Sequence, residues 1–334
     1  MLRPALTSLT VVLAALSSVA ITGCKAEPEV VDPVVFNEES PLYQANAEQI
    51  DDYLKTLHDE EADIRARIMT TAHRQLGQPY DIYLLGEFPF EVDDAQPLYE
   101  LGKSDCVVFV EHTYAMALGE DWARFFAYLQ RIRYIDGRIG VATRNHYTEP
   151  QWNLNNDWIV EDVTDAIAGD AAVPYTAKAN VAKFLRNSFG TELDDWIIEK
   201  QTTYLPFEEL DRARGKLQNG DLVQIVRGTP PTGDGINGRF AGAYVGHFGL
   251  VEVDADGELW MIHSGSPAVA RERIFDYGTD SKARNASRAA AGKPQFLGFK
   301  FLALREDAAD NLKAIDGEHA PVVTYAPNQP LPRD

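Results

Sequence analysis

Cysteine is nearly absent: the 334-residue chain holds two, Cys24 and Cys106. Two thiols build neither a disulfide framework nor a four-cysteine zinc site. Basic residues are also short, with 31 Lys and Arg against 51 Asp and Glu and a formal charge of −20. Such a chain repels phosphate backbones, which argues against any nucleic-acid partner, and it gains nothing from anionic lipid headgroups. Long apolar runs are missing after Ile21, so no later segment reads as a membrane span. Neither His-Glu-x-x-His nor Gly-x-Ser-x-Gly occurs, which leaves zinc-hydrolase and α/β-hydrolase readings without their motifs. What remains is 45% hydrophobic and 25% charged, the composition of a folded domain with a sizeable core.

Residues 1–23 read as a leader. Arg3 gives a positive start, residues 11–21 are an apolar run too short to span a bilayer, and Ile21-Thr22-Gly23-Cys24 resembles a bacterial lipobox. On that reading a signal peptidase cuts before Cys24, its thiol carries lipid, and the membrane is a partner through that lipid. The protein then sits on the periplasmic face of the envelope. Lys25 stands where an aspartate would signal inner-membrane retention, which points to the outer membrane. The alternative is a plain secretory signal that happens to contain a cysteine. Residues 24–46, acidic and carrying Pro28, Pro33 and Pro41, read as a tether to a globular domain at 47–306. Acid and proline predict a loose tail over 307–334.

Within the domain, Ile64, Ile68, Ala72 and Leu76 recur at helical spacing, and Gly77 stands at the C-cap. A second helix starts near Ser104 or Asp105 and ends before Gly119; its Cys106-Val107-Val108-Phe109-Val110 run is too apolar for a surface. Residues 121–134 are amphipathic. The stretch 135–215 reads as a helical insertion, with a helix at 177–187 and a polar aromatic loop, Arg144-Asn145-His146-Tyr147-Thr148, followed by Trp152. After Asn219 the period changes to two. Strands are predicted at 222–226, 245–253, 259–263 and 298–304, with Asp254-Ala255-Asp256-Gly257 turning the second into the third. Helices first and an antiparallel sheet afterwards is the α+β pattern.

Cys106 is the central candidate. In the first turn of a helix, free N–H groups and the dipole favour a thiolate, a nucleophile wherever an imidazole can reach it. The alternative is a small buried core cysteine; outside the cytoplasm, however, an idle thiol is an oxidation liability. Among seven histidines, His58 and His73 fall on surface helices, His146 in the polar loop and His319 in the tail. His112 lies six residues along the helix from Cys106, too far round it to pair. His247 opens one strand and His263 ends the next, and a hairpin sets such positions side by side. Gly233-Asp234-Gly235-Ile236-Asn237-Gly238 spells a dinucleotide motif but follows Pro230-Pro231 and opens no helix, so it reads as a flexible loop.

Asp105-Cys106, Gly220-Asp221-Leu222-Val223, Gly246-His247-Phe248-Gly249-Leu250 and Ile262-His263-Ser264, in that order, resemble the NlpC-type papain-like cell-wall cysteine peptidases. Asp105 to Phe109, with Arg131-Ile132-Arg133-Tyr134, Arg144-Asn145-His146-Tyr147 and Trp152, resemble more narrowly the uncharacterised domains called N-acetylmuramoyl-L-alanine amidase-like. The resemblance spans residues 62–305. It implies a papain-like α+β fold with N-terminal helices and the catalytic cysteine at the start of a buried helix packed on an antiparallel sheet. It also implies a peptidoglycan or muropeptide amide hydrolase with a Cys-His-His triad and no metal or cofactor. Cys106 matches the nucleophile, His247 the general base and His263 the residue that orients it, with Ser264 or Ser266 as substitutes for the third place.

Tyr80 matches a tyrosine facing substrate, across a longer gap to Cys106 than is usual. Asp105 matches a position that binds the substrate's polar end. Val107 replaces the serine common after the nucleophile, a departure from the amine-binding pattern. Arg144, His146, Tyr147 and Trp152 either line the groove or pack over the helices. The scissile bond is either the muramoyl–L-alanine amide or an amide within the stem peptide. The alternative function is a non-catalytic envelope lipoprotein that binds muropeptide or a protein partner in the same groove.

Overall fold

The structure, a computed structural model, describes residue 37 and residues 39–228 and 242–316. Cys24 and the leader, the loop around Gly233 to Gly238, His319 and the last residues of the tail lie outside the described residues. Among the described residues no helix is long and apolar enough to cross a membrane.

Capping residues start each of the N-terminal helices. Helix α1 (Ala47–Glu60) opens on a capping box between Asn46 and Gln49, and α2 (Ile64–His73) opens on Asp63. The Asp105 and Asp121 carboxylates cap α3 (Cys106–Leu118) and α4 (Trp122–Arg133). Helix α2 stops before Leu76, because the chain from Gly77 turns to bond with Val269. The stretch read as a tether is already packed at its end. Leu42 and Ala45 are buried in the main core, and the Leu42 amide donates to the Arg74 carbonyl.

The insertion 135–215 departs from the helical expectation. It holds the short helix α5 (Asn153–Asn155), β1 (Val160–Asp162), α6 (Thr164–Ala168), β2 (Val173–Asn180), α7 (Val181–Phe189) and β3 (Ile197–Pro206). The helix expected at 177–187 starts only at Val181, because Ala177 to Asn180 pair with β3 and the Asn180 side chain caps the helix from the Lys183 amide. The later strands fall as expected: β4 (Leu222–Gly228), β5 (Tyr244–Val253), β6 (Leu259–Ser264) and β8 (Gln295–Leu304). Between them lie a strand not foreseen, β7 (Val269–Arg273), and helices α8 (Ile274–Ala283) and α9 (Asn285–Ala290). The tail opens with a further helix, α10 (Ala308–Asp316), whose Ala308 and Leu312 are buried, so the chain is not loose from Asp307.

The result is α+β, with an antiparallel sheet in the order β2-β3-β8-β4-β5-β6-β7 and β1 on the side of β8. Alternate strand residues point to opposite faces, and both faces are covered. Leu222, Phe248, Leu250, Ile262 and Leu302 pack against α1 to α4. Val223, Ile225, Val251, Met261 and Phe299 pack on the other side, with Ile274 and Tyr277 of α8. Helix α3 is buried from Val108 to Ala117, which explains its lack of a polar face.

Candidate active site

Three segments far apart in sequence are stitched together where α3 begins. Ser104 pairs with Tyr80 in a parallel bridge, and Pro79 pairs with Ala268. The Tyr80 amide donates to the Pro267 carbonyl at 3.0 Å. The Ser264 hydroxyl donates to the Ser104 carbonyl at 2.8 Å, while the Ser104 hydroxyl reaches Ser264 at 2.9 Å and the Gln78 side chain at 2.6 Å. Ser104 and Ser264 are buried, so these bonds are shielded from water and fix the start of α3 beside the end of β6. Cys106 and His263 are thereby brought to one edge.

His247 and His263 meet as the strand pattern predicted. His247 Nε2 lies 2.7 Å from His263 Nδ1, with the rings nearly perpendicular at 85°. Two glycines make this possible. Opposite β4 the register slips, Ile225 facing His247 and Val226 facing Val245, so Gly246 is a bulge that re-aims the strand just before His247. At Gly249 an added Cβ would lie 2.7 Å from both the His263 Cβ and the Ile262 carbonyl oxygen. Tyr277 of α8 stacks on His247 at 12° and 6.2 Å, and its hydroxyl accepts from Arg227 at 2.9 Å.

The β5–β6 ladder ends at Leu250 opposite Ile262. Beyond it the Phe248 amide, next in chain after His247, lies near enough to the Cys106 sulfur to favour its thiolate, as do the amides of Cys106 and Val107 at the helix start. These lower the thiol pKa, but burial outweighs them, with the Asp105 carboxylate adding to it, and pushes the thiol up to about 12. Burial first, then His263 and Arg227, push His247 down to about 3. The resting site therefore holds a thiol and a neutral imidazole rather than the thiolate expected from the helix start alone, because loss of water counts for more than three amides. No hydrogen bond joins the thiol to the His247 ring.

Tyr80 stands within electrostatic reach of Cys106 and Asp105, which raise its pKa after burial does. Asp105 has one oxygen committed to the helix cap, accepting from Val107 and Val108 at 2.9 and 2.8 Å. The other predicted binding residues lie elsewhere. Arg144 is buried, bonded to the Leu85 carbonyl at 2.9 Å and paired with Asp94 and Glu87. Trp152 is 1% exposed and donates to Glu111 at 3.0 Å. Both hold the 85–94 loop and the core, and neither lines a groove. His146 and Tyr147 line a separate cleft of about 100 Å³ with Glu149, Lys178, Tyr244 and Val245. Sequence reading passed over Tyr277, Arg227 and Glu272, since nothing in sequence marks β7 and α8 as covering the histidine pair.

The N-acetylmuramoyl-L-alanine amidase-like family model matches residues 70–277. By sequence, no curated protein matches the chain. Among solved structures, a Legionella pneumophila protein is similar at 20% identity and a TM-score of 0.60, over 77% of this chain and 95% of that one. An N-acetylmuramoyl-L-alanine amidase from Bacteroides uniformis is similar at 21% identity and a TM-score of 0.53, over 73% of this chain and 99% of that one. These likenesses show a shared fold.

Proposed function

The chain belongs to the N-acetylmuramoyl-L-alanine amidase-like family, and from that premise we propose that it hydrolyses an amide bond of peptidoglycan with Cys106 as nucleophile. The observation that carries this reading is the 2.7 Å contact between His247 Nε2 and His263 Nδ1, formed next to the amide that faces the Cys106 sulfur. In this reading the fold is papain-like, His247 is the general base and His263 orients it. The muramoyl–L-alanine amide is the bond, as in the name of the Bacteroides relative.

His247 takes the thiol proton as the sulfur attacks the carbonyl carbon, and the carbonyl π electrons move onto oxygen. Backbone N–H groups at the start of α3, that of Cys106 among them, receive the oxyanion. The intermediate collapses by breaking the C–N bond, and His247 gives its proton to the departing amine. Water, deprotonated by His247, then adds to the thioester carbonyl; the C–S bond breaks, His247 returns its proton to sulfur, and the product acid leaves and ionises in solvent. A resting thiol and neutral imidazole make the first transfer unfavourable without substrate, so it belongs to the bound complex. Placement at the periplasmic face of the outer membrane through a lipid on Cys24 is part of the same proposal, resting on Ile21-Thr22-Gly23-Cys24.

Purified protein incubated with defined muropeptides and read by mass spectrometry tests the reading. Wild type should release a free stem peptide with L-alanine at its N-terminus, and Cys106→Ala should release none. Activity surviving in Cys106→Ala would overturn the cysteine mechanism. Muropeptide binding without cleavage by either protein would replace it with the groove-binding role.

A further inference from the structure

Beyond His263, the imidazole pair meets a carboxylate. His263 Nε2 is buried and makes no hydrogen bond, yet it lies 3.5 Å from the Glu272 Oε2. Strand register puts them together. Ala270 of β7 faces His263 and Glu272 faces Met261, so Glu272 lies diagonally across from the imidazole on the same face of the sheet. A buried ring nitrogen with a carboxylate just beyond bonding distance is the open form of a contact that commonly tightens when a catalytic site fills.

A nitrogen-to-nitrogen contact at 2.7 Å needs a proton on one ring and a bare lone pair on the other. The direction of that bond decides what His247 can do. If His263 carries its proton on Nε2, its Nδ1 accepts, His247 donates from Nε2, and His247 Nδ1 is left bare as a base. If His263 carries its proton on Nδ1, a neutral His247 must hold its own on Nδ1 and cannot accept one there. We propose that Glu272 is a positioning residue that selects the first arrangement by drawing the His263 proton to Nε2. The Cys-His-His arrangement is thus extended to a chain of four. Glu272 touches neither substrate nor thiol and acts through His263. Among the described residues the other charged or titratable groups facing the pair are Tyr277 on α8 and Arg227 on β4. Arg227 carries only donors, and the Tyr277 hydroxyl makes no hydrogen bond to His263 Nε2.

The proposal rests on the reading of Cys106, His247 and His263 as the reacting set, and its test separates the two. Nitrogen-15 NMR of histidine-labelled full-length protein reports which ring nitrogen carries each proton without any substrate. Wild type should show His263 protonated at Nε2 and His247 at Nε2. Glu272→Ala should shift both toward Nδ1, and Glu272→Gln, whose amide oxygen still accepts, should keep the wild-type pattern. On muropeptide, Glu272→Ala should lower kcat on the order of 10- to 100-fold, as loss of a histidine's orienting partner does, with KM unchanged. Glu272→Gln should recover most of that loss. Its pH profile should hold the wild-type shape, while that of Glu272→Ala changes. A wild-type His263 protonated at Nδ1, or tautomers unmoved in a folded Glu272→Ala, would overturn the proposal. Wild-type tautomers as described, with no muropeptide cleaved, would overturn the function and leave the positioning role standing.

Discussion

Cys106 carries two opposed influences, and their balance has a measurable outcome. Helix amides favour the thiolate, but burial and the neighbouring Asp105 carboxylate leave the thiol near 12. Alkylation by iodoacetamide at pH 7 should therefore run at least tenfold slower than for free cysteine, since reactivity follows the thiolate fraction, and should climb steeply above pH 9. Rapid labelling at neutral pH would show that the amides win. The histidines rank by their place in the chain of protons. On the proposed mechanism His247 exchanges protons with the thiol and His263 only orients it, so His247→Ala should cost more in kcat/KM than His263→Ala. In serine triads the third residue costs roughly 10⁴-fold and the base about 10⁶-fold. The double variant should be little worse than His247→Ala alone, and His263→Asn should recover part of the loss. A silent His263→Ala in muropeptide kinetics would move the third role to another residue.

At the scale of elements, Asp105 ties the reactivity of the thiol to stability, because the carboxylate that caps α3 also opposes ionisation of the thiol it precedes. Asp105→Asn keeps a cap of equal quality and removes the charge. It should melt as wild type does and alkylate faster. Asp105→Ala loses the cap at about 1 kcal/mol and should melt a few degrees lower. Equal alkylation rates in wild type and Asp105→Asn would show that the charge is without effect on the thiol. The same element was the most legible in the sequence: an aspartate cap, a wholly apolar run and a closing glycine admit few other structures. The histidine pair was legible because a hairpin turn fixes register, which binds His247 to His263 however the rest folds. What stayed hidden lacks such signals. In the β2–β3 pairing Lys178, Glu199 and Gln201 are exposed, β3 shows no apolar alternation, and the alternation of β2 rests in part on Ala177 and Ala179, which suit a helix as well as a strand. In β7, Arg271, Glu272 and Arg273 follow one another, and only packing on β6 makes them a strand. For Arg144 and Trp152 sequence left groove and packing open, because their burial depends on Glu87, Asp94 and Glu111, which are remote in sequence.

Across the whole molecule, buried titratable groups set the response to acid. His112, buried in α3 with its Nδ1 on the Val108 carbonyl, is pushed down to about 3 by burial, as His247 is. In the unfolded chain both return to about 6.5. Between those values the unfolded state binds more protons, so the stability these histidines contribute is complete above about pH 6.5 and is lost as pH falls toward 3. At pH 5 the loss is on the order of 2 kcal/mol for each. Glu111 works the other way. Burial raises it to about 6 despite its pairing with Arg133, so its contribution is present below about 4.5 and lost as pH rises through 6. That returns on the order of 1 kcal/mol at pH 5 relative to pH 7, less than the two histidines remove. The balance of these three groups is a net loss of about 3 kcal/mol on going from pH 7 to pH 5, or roughly 5–10 °C in melting temperature. Thermal melts at the two pH values check the sum, and His112→Gln, which cannot be protonated, should shrink the difference by about two-thirds. A pH difference in melting temperature that His112→Gln leaves unchanged would mean that His112 is hydrated and charged in the folded protein.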